Sequence, residues 1–169
     1  MMTPAYWQRM ARYNRWQNEN LYGAAHTLGD AARRQERGSF FGSIQATLSH
    51  ILWAAQVWMS RLSDWQKPDV GITSSTGLYD EWNALKTARA AADQKFITLA
   101  DASRQADIDG DLHWYSGAMG QDMVRAKAIC IMQVFNHQTH HRGQVHAMLT
   151  AAGAKPDDTD IPFMPDAYL

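Results

Sequence analysis

The sequence predicts an all-α protein built as a four-helix bundle. Three observations lead there. Four segments of about twenty to thirty residues carry apolar side chains at every third or fourth position. Helix start and stop signals stand at several of their ends, and the stretches between them are polar or rich in Gly and Pro. Long helices with one apolar face bury that face most economically against one another.

The first segment covers residues 4–31. Thr3 can cap free amides, and Pro4 loses no hydrogen bond at the first helical position. Its stripe is Tyr6, Met10, Tyr13, Gln17, Leu21, Ala24 and Leu28, with Gln17 the polar exception flanked by Asn14 and Asn18. A polar turn, RRQERGS, leads to a second helix over 41–62, whose stripe includes Ile44, Leu48, Ile51, Ala55 and Leu62, with His50 beside it. SDWQKPDVGITSSTG reads as a loop. A third helix over 78–102 presents Tyr79, Trp82, Leu85, Ala92, Phe96 and Leu99. RQADIDGDLHWYSGAMG lacks helical period and reads as a structured connection with a short hairpin about Asp109-Gly110. The fourth helix spans 121–152 and is stopped by Gly153 and Pro156. The tail is expected to lie on the body through Ile161, Phe163 and Met164.

With 169 residues, 46% of them hydrophobic, the chain suits one domain spanning 1–169. Lys plus Arg number 16 against 17 Asp plus Glu, a net charge of −1 that argues against nucleic acid as a partner. Cys130 is the single cysteine, so no intrachain disulfide or thiolate cluster can form. The N-terminal stretch lacks the apolar core of a secretion signal, and no run approaches the roughly 18 apolar residues of a membrane span. The expected location is the cytoplasm.

The fourth helix carries the chemistry. Its stripe of Met123, Ala126, Cys130, Val134, His137, His141, Val145, Met148 and Ala152 places two histidines where the pattern calls for apolar side chains. Four residues apart, they lie one turn above each other, within reach of one zinc, nickel, copper or iron ion. The same pair can equally be two buried histidines satisfied by hydrogen bonds. His50 is the best-placed third ligand, since the second helix can face the fourth. Two other metal plans do not fit: Gln138 follows His137 where HExxH requires Glu, and none of Glu19, Glu36 and Glu81 stands three residues before a histidine, as di-iron bundles require.

Three blocks, YNRWQNENLY, TLSHILWAAQVWMSRL and FNHQTHHRGQVHAMLTAAG, occur in the order in which the chain resembles the DinB/YfiT-like metalloenzyme family. The resemblance covers residues 6–162. It implies an up-down-down-up bundle, frequent homodimers, and one divalent metal, nickel or zinc, held by His50, His137 and His141. Relatives in the wider superfamily resemble transferases and isomerases that use low-molecular-weight thiols, or hydrolases.

The resulting expectation is a metal-dependent enzyme acting on a small molecule, its three-histidine centre activating water or a small thiol. The rival is a metal- or ligand-binding dimeric bundle without turnover. Asn14, Gln17, Asn18 and Gln144 are candidates for the pocket or for hydrogen bonds around the centre, and the first three can equally make ordinary interhelical hydrogen bonds in the bundle. Trp53 and Trp58 are expected to wall the interior, and Tyr115 is either a cover for its mouth or an exposed loop aromatic. Arg142 suits a salt bridge across the bundle, Gly143 suggests a close backbone approach, and Cys130 fits a small core residue. No acid or base is identifiable, because no carboxylate falls clearly on a buried stripe.

Overall fold

The computed structural model describes residues 2–169. Helix α1 (Pro4–His26) begins where Thr3 Oγ1 accepts the Tyr6 amide at 3.2 Å. It stops at Thr27, whose hydroxyl turns back onto the Ala24 carbonyl, and a short helix α2 (Asp30–Arg34) follows. The expected continuous helix to residue 31 is therefore broken, with Gly29 at the start of α2. Helix α3 (Ile44–Leu62) is capped by Ser43, whose hydroxyl accepts the Ala46 amide.

Helix α4 (Trp82–Ala102) and a short α5 (Gln105–Ile108) lead into strands β1 (Asp111–Ser116) and β2 (Gln121–Ala126), which pair antiparallel from Asp111 opposite Ala126 to Ser116 opposite Gln121. Helix α6 (Lys127–Ala151) begins directly after β2. It ends on Gly153 at φ +83°, which lets the Ala154 amide reach back to the Leu149 carbonyl at 3.0 Å.

The all-α, up-down-down-up four-helix expectation is thereby corrected. Among the described residues the fold is mostly helical, with six α-helices, three short 3-10 segments and a two-stranded sheet. Residues 121–126 were assigned to the last helix because Met123 and Ala126 keep its three-to-four period with Cys130. Their backbone groups instead pair with β1, and Gly120 at φ +66° makes the turn. The hairpin thus turns at residues 117–120, not at Asp109-Gly110. A lone two-stranded ribbon is marginal in water. This one rests on α3 and α6, burying Leu112 and Ser116 and packing Trp114 edge-on against Trp58.

Helix α1 packs mainly on α4, and α3 mainly on α6, with α1 also meeting α6. One apolar cluster gathers Leu21, Ile44, Leu48, Leu85, Val145 and Leu149; a second gathers Trp7, Met59, Phe96, Ile131, Val134 and Phe135. Between α1, α4 and α6 runs a buried polar seam. Arg89 Nη2 lies 2.8 Å from Asp93 Oδ1, which also accepts from Asn18 (2.9 Å) and Asn14 (3.3 Å), while Arg142 donates to Asn14 Oδ1. Burial raises the Asp93 pKa and pushes that of Arg142 down to about 10. The tail docks on α1 through buried Met164 and through Thr159 and Asp158 carbonyls that accept from Tyr13 and Gln17. Ile161 and Phe163 are exposed. No described helix is long and apolar enough to cross a membrane.

The backbone approach expected at Gly143 does not occur: a Cβ there would meet nothing within 4 Å. Gly143→Ala should therefore stabilise the protein by about 0.5–1 kcal/mol through helix propensity alone, measured as a higher urea midpoint at unchanged slope. A loss of stability would mean that α6 is packed more tightly than its surroundings indicate.

Candidate metal centre

His50 is positioned by the middle of α3, and His137 and His141 by successive turns of α6, the helix on which α3 packs. One ring nitrogen from each lies within 4.8 Å of the others. His50 and His141 are buried and His137 is half-buried. His50 Nε2 and His137 Nε2 stand 3.3 Å apart. Two nitrogens bound tetrahedrally to one zinc at about 2.0–2.1 Å would be separated by about the same distance.

Hydrogen bonds set the tautomers. Ser75 lies in a 3-10 segment (Ile72–Gly77) that packs on α3. Its hydroxyl donates to the Ile72 carbonyl at 2.7 Å, so toward His50 Nδ1, at 2.9 Å, it can only accept. The His50 proton is thus held on Nδ1, leaving the Nε2 lone pair directed at His137. The Gln144 amide oxygen, 2.7 Å from His141 Nδ1, accepts the proton of that ring in the same way. Outer hydrogen bonds of this kind orient histidines that bind metals. The third ring, His137, sits at the meeting point of the other two, with ring centroids 5.3 Å from His50 and 4.5 Å from His141.

The environment keeps the rings neutral. Burial, then the neighbouring His137 and His141, lowers the His50 pKa to about 3; burial, then His141 and His140, lowers that of His137 to about 4. His141 is lowered chiefly by burial. Unprotonated imidazole is the form that binds a metal. Such a donor set, with three nitrogens converging and a wall of open space beside them, fits a divalent ion with a preference for nitrogen.

That space is a cavity of about 600 Å³ between α3, α6, the hairpin and the loop before α3. Phe41 stacks on His50 at a centroid distance of 3.9 Å. It is delivered by a tight turn in which the Arg37 amide reaches the Gly42 carbonyl at 2.8 Å, with Gly42 at φ +78°. A side chain at Gly42 would be strained in φ and would collide with the Glu36 carboxylate. Trp53 and Trp58 line the cavity, Trp53 being tied to the Val70 carbonyl at 2.8 Å. Trp114 and Met119 of the hairpin region close the far side, whereas Tyr115 takes the exposed alternative and is 64% exposed.

The other sequence candidates lie elsewhere. Asn14 and Asn18 bond to Asp93 in the polar seam, and Gln17 holds the tail at Asp158; none of the three lines the histidine cavity. Arg142 has no carboxylate within 4 Å among the described residues and bonds to Asn14 and Thr139 instead. Cys130 is buried. Sequence reasoning missed Ser75, Phe41 and Arg61. Ser75 is one of several hydroxyls in SSTG, and only its tertiary placement singles it out.

The lowered histidine pKa values have a definite sign. Unfolded chains protonate these rings near 6.5, the folded protein only near 3 to 4, so between those limits the unfolded state holds more protons and stability falls as pH falls. Urea midpoints of chelator-treated protein should decline from pH 7 to 4, and less steeply in His50→Gln. Parallel declines in the two proteins would contradict the assignment.

Residues 1–168 match the sequence profile of the DinB family. The chain is 24% identical over 159 residues to Protein DinB of Bacillus subtilis (strain 168), covering 90% of this chain and 89% of that one. A DinB-like protein from Bacillus cereus ATCC 10987, solved by crystallography, shares the fold at a TM-score of 0.50 and 20% identity, over 85% of this chain and 90% of that one. Matched over almost its whole length, the chain belongs to the DinB family.

Proposed function

We propose that the protein is a metal-dependent enzyme with a mononuclear three-histidine centre that activates water or a small thiol, as a hydrolase or a thiol-dependent transferase would. The observation that carries this reading is the convergence of His50, His137 and His141, neutral and oriented by Ser75 and Gln144, on the wall of a cavity large enough for a small molecule. Zinc or nickel suits three imidazoles, and when bound supplies Lewis acidity that lowers the pKa of water or a thiol.

The chain's own residues have separable tasks. Ser75 and Gln144 hold the imidazole protons on Nδ1 of His50 and His141. Phe41 and Trp53 exclude water from one side of the rings. His140, exposed at the cavity edge beside His141 and 3.5 Å from the Gln144 amide nitrogen, is the one remaining titratable imidazole there and the natural group to exchange a proton with a reactant. No carboxylate lines the cavity among the described residues, which favours a second reading: a metal-binding protein that holds a ligand without turning it over.

Elemental analysis of protein purified without a histidine tag tests the centre. About one zinc or nickel per chain is expected, lost in His50→Ala, His137→Ala and His141→Ala. Native protein that neither carries nor takes up either metal removes both readings. Ser75→Ala should fold normally yet bind zinc about 10–100-fold more weakly, by competition with a chromophoric chelator. An unchanged affinity would show that Ser75 does not orient His50. With the metal established, retained turnover in His140→Gln would remove that residue from the proton transfer.

A further inference from the structure

The same cavity holds one permanent cation. Arg61, on the last turn of α3, lines it together with the histidines. Its guanidinium lies over the Trp58 ring at 4.6 Å and near the Trp114 ring at 5.5 Å, so two indoles fix its position. Among the described residues it donates no hydrogen bond and has no carboxylate within 4 Å, and no acidic side chain lines the cavity. Partial burial lowers its pKa, the ordinary sign of a cation short of solvent and of a counter-charge. Arginines of this kind suit planar anions, which they bind through paired N–H donors.

Helix geometry gives the distance to the histidines. Eleven residues separate His50 from Arg61, about 16 Å of axial rise. Side chains on a helix lean toward its N-terminus, His50 as well as Arg61, so the reach of Arg61 back over Trp58 shortens that separation only in part and leaves guanidinium and imidazole more than a helical turn apart. Ala54, Val57 and Trp58 of α3 line the cavity with Met119 and Met123 from the hairpin side, and Ser116 and Gln133 add two polar groups.

We infer that Arg61 is a specificity-determining residue that binds the carboxylate of an extended, mainly apolar substrate whose reacting group lies more than a helical turn away at the three histidines. This rests on the metal-centre reading for the identity of the reacting end, while the anion site rests on Arg61 alone. Ser116, Gln133 and His140 are the other polar lining side chains, and the predominantly apolar remainder suits a substrate whose middle is mainly hydrocarbon.

A molecular ruler tests it. Zinc-loaded full-length protein is titrated calorimetrically with α,ω-dicarboxylates from succinate to sebacate, beside monocarboxylates of equal length. Affinity should peak at one intermediate length and exceed that of the monocarboxylate of equal length about tenfold or more, one carboxylate meeting zinc and the other Arg61. Arg61→Gln and Arg61→Met, with zinc content and melting temperature unchanged, should abolish the peak, and Arg61→Lys should restore part of it. A peak that persists in Arg61→Gln, or a native series without one, overturns the inference and leaves the metal centre standing. If the protein takes up no zinc, it is the metal reading that fails, and metal-free protein decides the anion site. A preference for octanoate over octanamide that Arg61→Gln loses upholds that site; equal binding overturns it.

Discussion

The burial of Arg142 and His141 side by side on α6 constrains everything around them. Neighbours on a helix point about 100° apart, so two polar side chains in sequence cannot share one apolar face. Each needs its own solvent-free partner. Arg142 finds Asn14 and, through it, Asp93 and Arg89; His141 finds Gln144, His137 and the α3 side of the molecule. The rotation of α6 about its axis is fixed by both demands together. An α6 turned by even a third of a circle would leave a buried guanidinium without its acceptors, a loss on the order of several kcal/mol. The seam between α1, α4 and α6 thus presents the histidines to α3 without touching them.

The remaining half of the geometry is set by small connections. The 3-10 turn carrying Ser75 packs on α3 and gives His50 its tautomer; the Gly42 turn delivers Phe41 onto the same ring; the hairpin supplies Trp114. Helices place the three rings within reach of one another, and loops decide which nitrogens face inward and how dry they are. This division follows from the chemistry. Packed helices resist displacement, so they suit donor atoms whose separation matters, while a hydroxyl or an aromatic cover needs only one hydrogen bond or one face.

The same division explains what could be read from the sequence. Two histidines on an apolar stripe are visible as a violation of period, and a Thr-Pro start or a Gly153 stop is visible as local chemistry. His50 was legible as a polar residue beside a stripe. The hairpin strand at 121–126 was not, because a six-residue stretch containing Met123 and Ala126 satisfies a helical period as well as an alternating one, and pairing with β1 is a tertiary fact. Asn14, Gln17 and Asn18 stood out correctly as polar residues on an inward face. Their partners, Asp93 and the tail, could not be inferred, since Asp93 looks like any helix-surface carboxylate in AADQKF.

The three-histidine site and the polar seam also illustrate two ways of burying ionisable groups. In the seam, Arg89 faces Asp93, the amides of Asn14 and Asn18 bond to the same carboxylate, and the Arg142 guanidinium is answered by neutral oxygens of Asn14 and Thr139. In the cavity, charge is removed, because burial drives three imidazoles to the neutral form and leaves lone pairs directed at one point. Two such lone pairs 3.3 Å apart repel unless a proton or a cation lies between them. With the Nδ1 proton of His50 committed to Ser75, the cluster is relieved either by moving a proton onto His137 Nε2 or by a metal. That difference, more than the count of histidines, is the ground for placing the proposed metal centre in the cavity.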